Sequence, residues 1–218
     1  MRLRAPLLLV VVAAVLALPA GASLRVGRLK YGGGGDWYAN PSSVPNLLQF
    51  ARAQTTLDLP EQPEVVSLDE DRLMDCALVF ATGHGRISFT SAQAARLRRY
   101  LLAGGFLHVD DNYGLDESFR GALRAVFPDR ALTELPYSHP LYHSIFDFPQ
   151  GLPKIHEHHG GPPHGYGIIH ENRVVLFYSY NTDLSDGWES AEVHHDPPER
   201  RQAALRMGLN LIVYALTH

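Results

Sequence analysis

Cysteine is nearly absent from this 218-residue chain, and Cys76 stands alone, so no internal disulfide can brace the fold and a hydrophobic core must hold it. The dinucleotide fingerprint GxGxxG, the phosphate loop GxxxxGK[ST] and the serine elbow GxSxG are all missing, which leaves dinucleotide, P-loop and ordinary serine-hydrolase functions without support. Basic charge is also scarce. Once Arg2 and Arg4 are set aside, the 19 basic residues become 17 against 23 acidic ones, a net charge of −6. That balance argues against a nucleic-acid partner, which would need a positive face along the phosphates.

Long apolar runs are limited to Leu7 to Leu18. This run follows Arg2 and Arg4 and precedes Ala20-Gly21-Ala22, the pattern of a secretory signal peptide over residues 1–22. It is shorter than the ~20 residues that a membrane span needs. The expectation is an exported protein, addressed to a bacterial periplasm, with one domain over residues 23–218 and no transmembrane span after cleavage. An uncleaved anchor is the alternative.

Short apolar runs then alternate with helical patterns, as in an α/β sheet with crossover helices. Strands are expected at Leu24 to Tyr31, at Val65-Val66, at Ala77 to Ala81 and at Phe106 to Val109. Helices are expected over 41–54, over Thr90 to Ala103 behind a Thr90-Ser91-Ala92-Gln93 capping box, around Phe119 to Phe127, and over Pro198 to Leu216. Glu171-Asn172 splits 166–179 into a hairpin, and 136–167 is rich in Pro, Gly, His and aromatics without a clean period. An irregular stretch of that length suggests a lid or a site wall.

Loops that leave the carboxyl ends of strands in such a sheet gather at one edge, where ligands bind. Gly34, Gly35, Asp36, Trp37 and Tyr38 follow the first strand, and Gly83, His84 and Gly85 follow the third. Asp110, Asp111, Asn112 and Tyr113 follow the fourth, and Asp183 and Trp188 follow the late strand. Small residues admit a ligand to the backbone, carboxylates and imidazoles hold a cation or move protons, and Trp37 or Trp188 can stack on a sugar. Asp110, Asp111 and His84 are the candidate acid and base groups. Each loop also has a plainer reading, glycines as turns, Asp111 or Asn112 as a helix cap, Asp183 in a turn.

Nine of the 12 histidines fall between His139 and His195. His156 and His158 share a face if extended, and with His84 they form the candidate ligand set for a divalent transition metal such as zinc. A solvated His-rich loop that charges at low pH is the competing reading. His194-His195-Asp196 is a weaker signal of the same kind.

The motifs Tyr31-Gly32-Gly33-Gly34-Gly35-Asp36-Trp37-Tyr38, Thr82-Gly83-His84-Gly85, Gly104-Gly105-Phe106-Leu107, Asp110-Asp111-Asn112-Tyr113-Gly114, Lys154-Ile155-His156-Glu157-His158 and Asp186-Gly187-Trp188-Glu189 together resemble the bacterial domain of unknown function 4159 family over nearly all of residues 23–218. The resemblance implies a flavodoxin-like three-layer sandwich with a mostly parallel sheet, related to the class I glutamine amidotransferase-like superfamily. It also implies membrane-protein partners of the aerotolerance type. An active glutaminase of that superfamily carries a cysteine nucleophile on the turn after a central strand, with a downstream His-x-Glu pair. Asp110, Asp111 and Asn112 occupy that turn here, and Cys76 lies on the wrong side of the preceding strand. The implied function is binding of a small polar ligand or an envelope partner at the strand edge, with a metal-dependent hydrolase or carbohydrate-acting enzyme as the alternative.

Overall fold

A computed structural model describes residues 24–218, and the leader expected over residues 1–22 lies outside the described residues. Seven strands form one sheet: β1 (Val26–Lys30), β2 (Glu64–Ser67), β3 (Leu78–His84), β4 (Phe106–Tyr113), β5 (Thr133–Glu134), β6 (His164–His170) and β7 (Arg173–Tyr180). Their order is β2-β1-β3-β4-β7-β6-β5. The first five in that order run parallel, and β6 and β5 add an antiparallel margin. Counting only the parallel strands gives 2-1-3-4-5, the flavodoxin-like winding, so the fold is a mixed α/β sandwich.

Helices cover both faces, which is why the central strands are buried along nearly their whole length rather than on alternate residues. Helices α1 (Ser43–Gln54) and α5 (Pro198–Thr217) bury Leu47, Leu48, Met207 and Leu211 against Val26, Phe80, Phe106 and Phe177. Helices α2 (Ser91–Leu102) and α3 (Asp116–Val126) bury Leu97, Leu101, Phe119 and Leu123 against Leu29, Val79, Leu107 and Val109. A short helix, α4 (Ala191–His194), precedes α5. No helix among the described residues is long and apolar enough to cross a membrane.

Local chemistry explains the boundaries. Thr90 and Gln93 form the reciprocal cap expected at the start of α2, satisfying two otherwise free backbone donors. Glu171 and Asn172 both have left-handed backbones, at φ 49° and 64°, as a two-residue hairpin turn between right-twisted strands requires. The irregular segment holds a single helical turn at Pro140–His143 and yields to β6 at His164.

One expectation is corrected. Asp110, Asp111 and Asn112 were expected in a loop after a four-residue strand, but β4 continues to Tyr113. It does so because β3 also continues through Gly83 and pairs His84 with Tyr113 across a register shift. A side chain at Gly83 would meet the Tyr31 hydroxyl and Asp36, so only glycine lets β3 run on there. The three polar residues therefore alternate between the two faces of a buried strand.

Trp188 is corrected too. It is 1% exposed, its Nε1 donates to the Ala204 carbonyl of α5 at 2.8 Å, and its ring packs edge-on against Phe80. It anchors α5 to the sheet and offers no surface to a sugar. His108 lies beside it, stacked on Phe177, with Nε2 at 2.8 Å from Ser179 Oγ. Burial pushes its imidazole down to about 3, so it is a neutral core group.

Gly208 gives this packing a test. An added Cβ would stand 2.9 Å from the Trp188 ring and 2.5 Å from Leu47. Helix propensity alone favours Gly208→Ala by ~1 kcal/mol, yet overpacking costs about 1–3 kcal/mol. Urea unfolding is expected to show Gly208→Ala destabilised, by up to about 2 kcal/mol; a stabilised variant would refute the tight Trp188–α5 contact.

Candidate functional site

The exits of β1, β3, β4 and β7 meet at the carboxyl edge of the sheet. At β1 and β3, where the winding reverses, Asp36 grips His84 twice. Its Oδ1 accepts the His84 backbone N–H, and its Oδ2 lies 3.0 Å from Nδ1. The two loops are laced together by Gly35 N donating to Arg86 O at 2.8 Å, an approach that a side chain at Gly35 would block at 2.6 Å. Gly34 and Gly85 take left-handed backbones in these turns. Tyr38 stands 64% exposed, and Trp37 is half-buried beneath Lys30.

From β4, Asp110 and Asn112 face the β7 exit while Asp111 faces α3. Asp110 accepts from Ser179 Oγ at 2.5 Å, Ser185 N at 2.7 Å and Leu184 N at 3.3 Å. Burial lifts its carboxyl to about 6 against those bonds. Asp111 Oδ1 accepts Leu115 N at 2.9 Å and Oδ2 accepts the Tyr178 hydroxyl at 3.3 Å. The expectation of Asp110 and Asp111 as accessible acid and base groups is therefore corrected, since one fastens the β7 loop and the other ties down Leu115 just ahead of α3. Asn112 Oδ1 accepts from Thr82 at 2.8 Å and Ser185 at 3.0 Å, and its Nδ2 donates to Asp186 at 2.7 Å. Tyr113 ends the strand half-exposed, its ring against His158 and His159.

The β7 exit turns sharply. Asn181 and Asp183 both adopt left-handed backbones, which Asn and Asp tolerate best among residues other than Gly. Thr182 between them is clamped to the histidine-rich segment, its carbonyl accepting Ile155 N at 2.9 Å and its hydroxyl donating to Pro153 O. Asn181 donates to the Pro162 carbonyl at 3.1 Å. The segment is thus pinned by its backbone over the mouth, with its imidazoles directed inward.

His156 Nδ1 lies 2.9 Å from Asp186 Oδ2 and 3.7 Å from Asp183 Oδ2. His158 Nε2 lies 2.6 Å from Asp183 Oδ2, and His194 Nε2 is 3.9 Å from Asp186 Oδ2. Two trios within metal-ligating reach result, His156-His158-Asp183 and His156-Asp186-His194. The candidate ligand His84 is in neither, because its ring is committed to Asp36. The hydrogen bond to Asp186 raises the His156 imidazole to about 9. Burial, with the charges of Asp110 and Asp186, raises the Asp183 carboxyl to about 9. For Asp186 burial acts upward, but the bonds from His156 and Asn40 and the charge of His194 outweigh it and hold the carboxyl low.

Asn40 and Asp186 were not among the expected site residues, and His194 and Asp196 stood only as a weaker signal. The Asp186-Gly187-Trp188-Glu189 motif was the available signal, and it splits by role. Asp186 faces the mouth, Gly187 and Trp188 enter the core, and Glu189 Oε1 accepts Ser42 N at 2.9 Å beside α1. A separate concavity of about 510 Å³, lined by Arg120, Leu123, Arg124, Phe127 and Arg130, shares no residue with the mouth. It gathers no acid and imidazole pair, so the chemistry belongs to the mouth.

A family model described as domain of unknown function (DUF4159) matches residues 25–216. No curated protein matches the chain.

The titration has a sign. His156 is raised above its ordinary ~6.5, so its contribution to stability is complete below that pH and is lost as pH rises through about 9. Asp183, raised from ~3.9, takes up a proton in the folded state that the unfolded chain lacks, and this contribution too fades as pH rises through about 9. With chelator present, the urea midpoint is expected to fall between pH 6.5 and 9, and less steeply in His156→Gln. A midpoint that rises over this range would contradict the arrangement.

Proposed function

The chain belongs to the DUF4159 family, and from that premise and the geometry of the mouth we propose that it is an exported binding protein of amidotransferase-like ancestry that takes a small polar ligand at the carboxyl edge of its sheet. The observation that carries this reading is the convergence of four strand exits on one acidic, histidine-rimmed opening, floored by the Asn40, Asn112, Asp186 and Ser185 network. The floor is rigid and polar, and Tyr113, Tyr38, His84 and His158 stand exposed around it. A ligand rich in hydroxyl or ammonium donors complements such a wall, since buried carboxylates favour donors and positive charge.

The ancestry is supported by the 2-1-3-4-5 winding and by the place of the Asp110-Asp111-Asn112 segment, where a glutaminase of the superfamily would carry its cysteine. Cys76 instead precedes β3, buried at the other end of the strand, and burial pushes its thiol up to about 11. No thiolate nucleophile is available from it at neutral pH. Export is supported by Arg2, Arg4 and the apolar run before Ala20-Gly21-Ala22. An envelope membrane protein of the aerotolerance type is the partner class that the family resemblance suggests.

A second reading, hydrolysis of the bound ligand, has one observation in its favour. Asp36 fixes the His84 ring through Nδ1, the arrangement by which a carboxylate orients a general base.

The binding reading is tested by thermal shift with a panel of monosaccharides, disaccharides, polyols and diamines, run with and without chelator. At least one compound class is expected to raise the Tm by about 5 °C at concentrations far above its Kd. Tyr113→Ala, at a half-exposed position, is expected to remove most of that shift without lowering the unliganded Tm. A flat response across the panel would reject the reading.

A further inference from the structure

Two contacts at the mouth are made by atoms that cannot both be acceptors. His156 Nε2 lies 3.1 Å from each carboxylate oxygen of Asp196, so one ring hydrogen is engaged there, and Nδ1 carries either a second proton or, with that proton lost, a lone pair free for a cation. Nδ1 faces Asp186 Oδ2 at 2.9 Å. Two acceptors at that distance repel unless a proton or a metal ion stands between them. A proton on Nδ1 would serve this first contact.

The second contact is more deeply buried. Asp183 is 1% exposed, and its Oδ2 has no hydrogen-bond partner. His158 Nε2 is 2.6 Å away, a separation that places a proton or a cation between the two atoms. A carboxylate oxygen sunk in the protein, unpartnered and flanked by two imidazole nitrogens, is a costly arrangement for the bare chain.

We infer that the mouth binds one divalent transition-metal ion of the zinc type, held by His156 Nδ1, His158 Nε2 and Asp183 Oδ2, with Asp186 Oδ2 on the flank of His156. This deepens the binding reading of the same mouth by naming a cation as its resident. Two imidazoles with carboxylate oxygen suit zinc, cobalt, nickel or iron rather than calcium or magnesium, which prefer oxygen alone. Ligand atoms ~2.1 Å from a tetrahedral ion stand about 3.4 Å apart. The separations of 2.6 Å from His158 to Asp183 and 3.7 Å from His156 to Asp183 bracket that value, and all three ligand atoms lie within 4.8 Å of one another.

The surroundings are those a metal site requires. Asp196 holds the outer nitrogen of His156, and Asn40 and Asn112 hold the outer oxygen of Asp186 at 2.5 and 2.7 Å. Such partners fix the tautomer and aim the ligands. The ion also answers the charge of Asp183 and Asp186, which the fold buries close to Asp110. On the His158 side the site opens to solvent beside Tyr113, leaving a coordination position for water or for a ligand oxygen. His84, anchored on Asp36, is outside the ligand set.

The test uses the full chain, purified without chelator, loaded with zinc or cobalt and dialysed. Elemental analysis is expected to find one ion per chain, and the cobalt form to show the visible absorption of a four- or five-coordinate site. His158→Ala and Asp183→Asn are expected to weaken binding by ~100-fold or more, beyond what loss of an outer-shell partner causes. His170→Ala, at the far end of β6, is expected to bind as the wild type does. Asp183→Asn should fold, because an amide replaces a buried carboxyl whose Oδ2 no hydrogen bond satisfies. In chelator its Tm should equal or exceed that of the wild type, while zinc should raise the Tm of the wild type alone, by about 5–10 °C. Failure of zinc, cobalt, nickel and manganese to bind the wild type would overturn the inference, as would undiminished binding by either variant. If no metal binds but a polar compound still shifts the Tm in chelator, the metal is refuted and the binding reading stands. Metal uptake by the wild type with a flat compound panel would reject the polar-ligand reading and leave the metal site standing.

Discussion

Four carboxylates, Asp110, Asp111, Asp183 and Asp186, are buried together at one edge of the sheet, and the local structure is organised around supplying them with donors or positive charge. Each solution differs. Asp110 takes two backbone N–H groups and a hydroxyl, and so fixes the β7 exit. Asp111 takes the Leu115 N–H and a tyrosine hydroxyl, and so fixes the approach to α3. Asp186 takes two side-chain amides and an imidazole. Asp183 alone is left with an oxygen that no hydrogen bond satisfies, and the chemistry of the mouth follows from that difference.

The fold makes this concentration of charge possible by placing its apolar core elsewhere. A parallel sheet covered on both faces brings four strand exits to one edge without exposing its strands. Trp188 and Gly208 lock α5 under the β7 exit, and the short DGWE segment serves the mouth, the core and the start of α1 within four residues. The histidine-rich segment is held by backbone contacts to residues 181 and 182, which frees its imidazoles to face the acids. Rigid support beneath and imidazoles above make a site that is formed before any ligand arrives.

Much of this architecture was legible in the residues. The capping box at Thr90, the Glu171-Asn172 turn and the apolar strands β1, β3 and β7 carry local signals that survive packing unchanged. The gathering of Asp36, His84, Asn112 and Asp183 at one edge followed from strand exits in an α/β winding. What the sequence concealed was depth and direction. Asp110 and Asp111 read alike as neighbours in the chain, but one residue of strand turns them to opposite faces. Whether β4 ended at Val109 or Tyr113 depended on Gly83 admitting Tyr31 and Asp36, a contact between distant segments. Trp188 looked like a stacking surface because tryptophan in a loop is ambiguous until its neighbours are known. The exchange of His84 for Asp183 beside His156 and His158 depended on which carboxylate found partners, and no periodicity reports that.

The proposed cation site lies between His156, His158 and Asp183, whose ligand atoms are within 4.8 Å of one another. Its most direct test is a crystal structure of the zinc- or cobalt-loaded protein, with anomalous diffraction recorded on both sides of the metal's absorption edge. One strong anomalous peak is predicted ~2.0–2.2 Å from His156 Nδ1, His158 Nε2 and an Asp183 oxygen. Anomalous density confined to surface histidines such as His170 or His218, with the mouth holding only water, would contradict it.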